Sequence, residues 1–174
     1  MVCKRYTEEQ IIQVVREMSR AYSEKDCVRS GIMAGVIAGI VMTIFMMIAT
    51  ATAGKGLLAF PQMIGESFLK GQPAVVVTIG GLLGQILSSA IFGILWAYIW
   101  RYVAKGGLAT VVGGLIYGLL ISVVMSYLVL PALKSPIAQS MPVGMWYLAH
   151  MVYGFVLALR TGDTAKIFGL SATH

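Results

Sequence analysis

The sequence predicts an all-α protein, a polytopic membrane bundle of four helices, and three observations carry that prediction. Of its 174 residues 58% are hydrophobic and only 11% charged, where a soluble domain carries about 25% charged residues. The apolar residues are gathered into four long runs without charge, of the length that marks membrane spans. Lys and Arg flank those runs, so that a mean hydropathy of +0.83 sits beside a net charge of +6. Such a balance reads as membrane topology and attraction to anionic headgroups. No basic run is interleaved with aromatic residues as a stacking platform requires, so the lipid bilayer is an expected partner and nucleic acid is not.

Residues 1–29 are the water-loving part of the chain. Thr7, Glu8, Glu9 and Gln10 fit a capping box, in which the Thr hydroxyl and the Gln side chain satisfy each other's backbone N–H groups. Ile11, Val14, Val15, Met18 and Tyr22 follow at helical spacing, with Arg16, Glu17 and Arg20 largely opposite. The pattern predicts an amphipathic helix on the membrane surface, on a partner or on the protein's own loops. Lys4–Ile12 resembles the start of the small helix-turn-helix subunit of certain bacterial transposases, over residues that any capped helix start uses, and implies no function here. Cys3 and Cys27 form no CxxC pair and have no evident metal partners. The first apolar run begins only near Gly31, so no secretory signal is expected.

The first span is expected over Gly31–Gly54. Its 24 residues reach about 36 Å as a helix, against a hydrocarbon core of about 30 Å. Residues 55–72 are too polar to span: Leu57, Phe60, Ile64 and Phe68 share one helical face and Gln62, Glu66 and Lys70 another, as in an interfacial helix or a re-entrant lid. The second span is expected over Ala74–Trp100, where Trp96, Tyr98, Trp100 and Tyr102 beside Arg101 read as an aromatic belt at the interface. Lys105, Gly106 and Gly107 turn the chain into a third span, Leu108–Leu130, which Pro131 ends. Pro131, Pro136 and Pro142 constrain the next loop, and a fourth span covers Val143–Leu159 before a tail, residues 161–174. With the N-terminus inside, ten Lys and Arg residues lie on the inner side and three (Lys55, Lys70 and Lys134) on the outer. That excess predicts that both termini are cytoplasmic.

Two rows of small residues recur every fourth position: Gly31, Gly35, Gly39 and Thr43 in the first span, and Thr110, Gly114, Gly118, Ser122 and Ser126 in the third. Small residues let helix backbones approach in lipid, where no hydrophobic drive brings helices together. Leu87–Gly93 in the second span also aligns with Leu148–Gly154 in the fourth, matching Ser89 to His150, Phe92 to Tyr153 and Gly93 to Gly154. The chain therefore reads as two tandem hairpins, an internal repeat about an axis along the membrane normal. The GIMAGVIAG stretch from Gly31, the glycine-rich third span and the LAHMVYG stretch ending at Gly154 resemble the small, glycine-rich, four-helix prokaryotic inner-membrane proteins of the YagU type. That resemblance implies fold and location and no activity.

His150 is the one ionisable residue within an expected span, and such a group is a functional-site hypothesis. Tyr147, Tyr153 and Gly154 share its helix face, and Gln85, Ser88 and Ser89 lie on the second span. Three readings compete: a neutral His150 acting as interhelical glue, a proton or solute path through His150 and Gln85, and haem ligation, for which one His supplies one axial ligand. No metal site and no cofactor is expected otherwise, since no second His, Cys, Asp or Glu lies within a span. The chain has no GxSxG, HExxH or P-loop motif, so no catalytic residue is assigned. The expected function is a non-catalytic accessory or structural subunit of a larger membrane complex, held to other membrane subunits or to itself by glycine surfaces. The alternative is a small oligomeric transporter or channel with its polar site at His150.

Overall fold

A computed structural model describes residue 9 and residues 24–103 and 108–161. The amphipathic stretch expected within residues 1–29 falls mostly outside the described residues, as do the connection at 104–107 and the tail from 162. The described chain is helical, without strands, in the order α1 (Glu24–Thr52), α2 (Ala59–Glu66), α3 (Ala74–Val103), α4 (Leu108–Val124), α5 (Ile137–Ser140) and α6 (Val143–Thr161). Four stretches are long and apolar enough to cross a membrane: Asp26–Thr52, Ala74–Trp100, Leu108–Ala132 and Val143–Arg160. Helices are what such runs must form, because lipid offers the backbone no hydrogen-bond partners. The outward faces carry branched aliphatic residues such as Ile44, Ile79, Leu87 and Ile116, all exposed.

Two boundaries differ from the sequence reading. The first helix begins at Glu24, so charged Lys25, Asp26 and Arg29 belong to the same helix as the span. Nor does Pro131 end the third span. The helix runs through a π-turn, Met125–Val129, and continues over Leu130–Ala132. Proline lacks an N–H and crowds the carbonyl four residues back; the wider turn, closed by the Leu130 N–H on the Met125 carbonyl, accommodates it.

The packing follows the small residues. α1 packs along α3, α4 packs along α6, and α1 also packs against α6. Gly31 and Gly35 lie against the carbonyls of Gly93 and Ser89, and Gly114 and Gly118 against those of Gly154 and His150. The two seams thus use corresponding residues in the same order. A Cβ at Gly35 would collide with the Ser89 carbonyl oxygen and stand 2.9 Å from the Gly93 Cα, so only glycine permits that approach. Ala34, Ala38, Ala149 and Ala158 are buried in the common core with Met42, Met46 and Leu157.

α3 and α4 follow one another in the chain but do not pack backbone to backbone. Large side chains fill the space between them near the end of the bundle that carries the termini. Trp96 and Trp100 stack with centroids 4.7 Å apart, and Tyr117 of α4 lies 5.1 Å from Trp96. This corrects the expected aromatic belt at Trp96 and Trp100, which are 2% and 9% exposed, while Tyr98 is half-buried and the side chains of Arg101 and Tyr102 lie outside the described residues. The four-residue spacing of the two tryptophans sets them on one face of α3, and that face turns inward.

The opposite end is capped. Residues 55–72 contain the short helix α2, which packs on the start of α3 with Gly65 against Val77 and Pro61 against Gly81. Ser67 Oγ donates to the Met63 carbonyl and lies 2.7 Å from Ser135 Oγ, and the Ile137 N–H donates to that same serine oxygen. The Lys55 ammonium donates to the Ser140 carbonyl. Lys134 turns the loop with φ of 48°.

Candidate functional site

Beneath this cap, α2, α3, α4 and α6 enclose a cavity of about 240 Å³. Phe60, Ile64 and Phe68 line it from the cap, Met125, Val129 and Leu130 from the widened turn, and Ile121 from α4. Gln85, Ser88 and Ser89 of α3 and Trp146, His150 and Tyr153 of α6 complete it. Gln85 is residue 12 of the 27-residue second span, and His150 is residue 8 of the 18-residue fourth. The polar wall therefore stands near mid-span on both helices, where water is scarce and each polar group needs a partner.

The partners are largely helix carbonyls. His150 Nδ1 lies 2.9 Å from the Trp146 carbonyl. A carbonyl only accepts, so Nδ1 carries the proton and Nε2 is left with a lone pair. Among the described residues no group hydrogen-bonds Nε2, and it is not sealed from the cavity. The Trp146 indole leans over the imidazole at 4.4 Å, fixing the ring, and its N–H donates to the Ser122 carbonyl at 3.4 Å. Ser88 Oγ donates to the Gln85 carbonyl of its own helix at 3.0 Å. The Gln85 amide nitrogen makes a weak contact with the Met42 sulfur at 3.8 Å, and among the described residues nothing donates to its amide oxygen. Tyr153 donates to the Ser89 carbonyl at 2.7 Å, and Tyr117 to the Phe92 carbonyl at 2.7 Å. These two bonds tie the second hairpin to successive turns of α3.

Of the sequence-derived site residues, Gln85, Ser88, Ser89, His150 and Tyr153 thus meet at one cavity. Tyr147 does not join them: it lines a separate hollow of about 200 Å³ with Ser126, Tyr127 and Met141. Trp146, one residue earlier, takes the place expected for it. The packing residues Gly31, Gly35, Gly39, Gly93, Gly114, Gly118 and Gly154 all sit against the chain's own helices, and Thr43 and Ser122 bond back to the Gly39 and Leu119 carbonyls. Sequence reasoning missed Trp146, Ile121 and the cap residues that close the cavity. The i, i+4 spacing of Trp146 and His150 was the available signal for the first.

No group of three His, Cys, Asp or Glu side chains that would hold a metal occurs among the described residues. Among the described residues the cavity wall contains no charged side chain. These residues form a mostly apolar pocket with a fixed imidazole acceptor and the Ser88 hydroxyl on its polar side, while the Ser89 hydroxyl lies toward Gly39 of α1. It is suited to binding, and among the described residues no serine hydroxyl hydrogen-bonds the imidazole as a nucleophile–base pair requires. No curated protein and no solved structure matches the chain. A family model does match, over residues 26–168, and on that match the chain belongs to DUF6789, a family of unknown function.

Proposed function

We propose that this protein is a small-molecule binding protein of the membrane, of the transporter type, with its ligand in the cavity at His150. One observation carries the reading: among the described residues no group hydrogen-bonds the second ring nitrogen of His150, and that histidine lines a cavity at mid-span. A structural histidine acting as glue would hydrogen-bond a neighbouring helix, and the bond His150 makes among the described residues is to its own. The excess of Lys and Arg at the end carrying the termini supports an inner-membrane orientation with the capped end outside. The likeness to YagU-type proteins agrees with that location and lends no activity.

The accessory-subunit reading drew on the absence of a catalytic constellation, on few intramembrane charges and on glycine surfaces for partner helices; the last of these supports it less, since the glycines lie within the chain's own two seams. The matching order of the seams favours an internal repeat, an arrangement common in transporters.

The test is mild-detergent purification of the full chain from its own membranes, with mass spectrometry of what comes with it. Gly84→Leu is the comparison: Gly84 borders the cavity and a Cβ there meets only Ile64 and Phe68, at 3.8 and 3.9 Å. The wild type is expected to retain a small molecule that the filled variant loses, with melting unchanged. A wild type bare of small molecules, but stoichiometric with a larger membrane chain, would return the accessory-subunit reading.

A further inference from the structure

The same cavity specifies a ligand class, and this inference rests on the binding reading just given. We infer that the ligand is a neutral, hydroxyl-bearing, lipid-like molecule that enters sideways from the bilayer, between α3 and α4.

The route follows from the packing. α3 and α4 meet through side chains and not backbone to backbone. Toward the terminal end the gap is shut by Trp96, Trp100 and the Tyr117 bond to Phe92. At the other end it is shut by the contact of Ser67 with Ser135. Between these two closures the cavity reaches Ile91 of the second span, which lines it and is 50% exposed, while Phe68 lines it from the cap. In a membrane protein, side chains exposed at that depth face lipid. A cavity of about 240 Å³ lies below the ~300 Å³ at which sites for whole drug-sized ligands begin. It suits the head and first part of a chain, with the remainder lying in the bilayer outside.

The head chemistry follows from the wall. Among the described residues no charged side chain lines the cavity, so a carboxylate, phosphate or ammonium would enter without a counter-charge from them, which is strongly unfavourable in a low-dielectric site. The proton on Nδ1 is held by the Trp146 carbonyl, so Nε2 offers a lone pair only. An acceptor at the end of a dry pocket selects a donor, since a ligand lacking one leaves the nitrogen unpaired. A hydroxyl supplies the donor without a charge.

The experiment uses the full chain in lipid nanodiscs and three labelled probes of equal length: 1-dodecanol, dodecane and dodecanoate. Retention is measured against nanodiscs without protein. Saturable binding of about one dodecanol per chain is expected, at least tenfold tighter than the alkane or the carboxylate. His150→Leu should bring dodecanol down to the level of dodecane and leave dodecane unchanged. Should that variant fail to fold, the discrimination among probes by the wild type still decides. Equal binding of alcohol and alkane, or preference for dodecanoate, overturns the inference; if Gly84→Leu then abolishes binding of every probe, the binding reading survives. A wild type that retains none of the probes yet holds a native small molecule overturns the class alone. One that retains neither overturns both.

Discussion

A histidine placed at mid-span has two ring nitrogens to satisfy and few groups with which to do it. His150 meets the first need with the carbonyl four residues earlier on its own helix, a bond that fixes the tautomer without help from another helix. Tyr153 behaves differently. Its hydroxyl reaches across to the Ser89 carbonyl, which also serves the backbone of α3. Tyr153→Phe should therefore cost only about 0.6 kcal/mol, the average measured for interhelical bonds in membranes, as read from unfolding in detergent. Thr110 is the opposite case: its hydroxyl is buried and no described residue pairs with it. Thr110→Val should hold or raise the melting temperature, gaining up to about 1 kcal/mol; a clear loss would reveal a partner for that hydroxyl. At this scale His150, Ser89 and Gln85 were legible, because polar residues in long apolar runs stand out. Trp146 was not: a tryptophan near a helix end reads equally well as an interface anchor, and only the packed helices decide which face turns inward.

Among the elements, the two seams are governed by the absence of side-chain atoms. Gly35→Leu and Gly118→Leu each place a side chain where the facing carbonyl already stands. Both should cost the folded chain several kcal/mol, in line with other severe steric insertions into packed cores. The loss should appear in the melting of the isolated protein, whatever its oligomeric state. Gly144→Ala supplies the contrast. Nothing lies within 4 Å of a Cβ there, and alanine's better helix propensity should leave stability equal or raise it by up to about 1 kcal/mol. These rows were legible because a four-residue period of small residues is written directly into the sequence. The cap was half legible. The amphipathic pattern of residues 55–72 predicts a surface piece, and the structure adds that Phe60 and Pro61 turn into the protein. The π-turn before Pro131 left no pattern to read, since proline ending a helix and proline tolerated by a widened turn look alike in sequence.

For the molecule as a whole, the four spans were the easiest feature to read, because a bilayer admits only helices for runs of this length. Their neighbours were harder. Consecutive spans usually pack side by side, yet the pairing that joins the hairpins is α1 with α6, and α3 and α4 stand apart. The orientation proposed from the charge count predicts a labelling pattern. In a cysteine-free background, Lys134→Cys should react with a membrane-impermeant thiol reagent added to intact cells, and Arg160→Cys only after permeabilisation. The reverse pattern would invert the topology and place the cap in the cytoplasm.

The separation of α3 from α4 has one more consequence. If the helices on either side of a chain link contribute little to each other's packing, the link itself contributes little beyond proximity. Each hairpin carries its own glycine seam, and α1 and α6 would still meet if the chain were cut between residues 103 and 108. Two half-chains expressed together should find one another in the membrane and co-purify as a complementing pair. A gene encoding either half alone would then encode a unit with one seam complete and one helix face awaiting its complement.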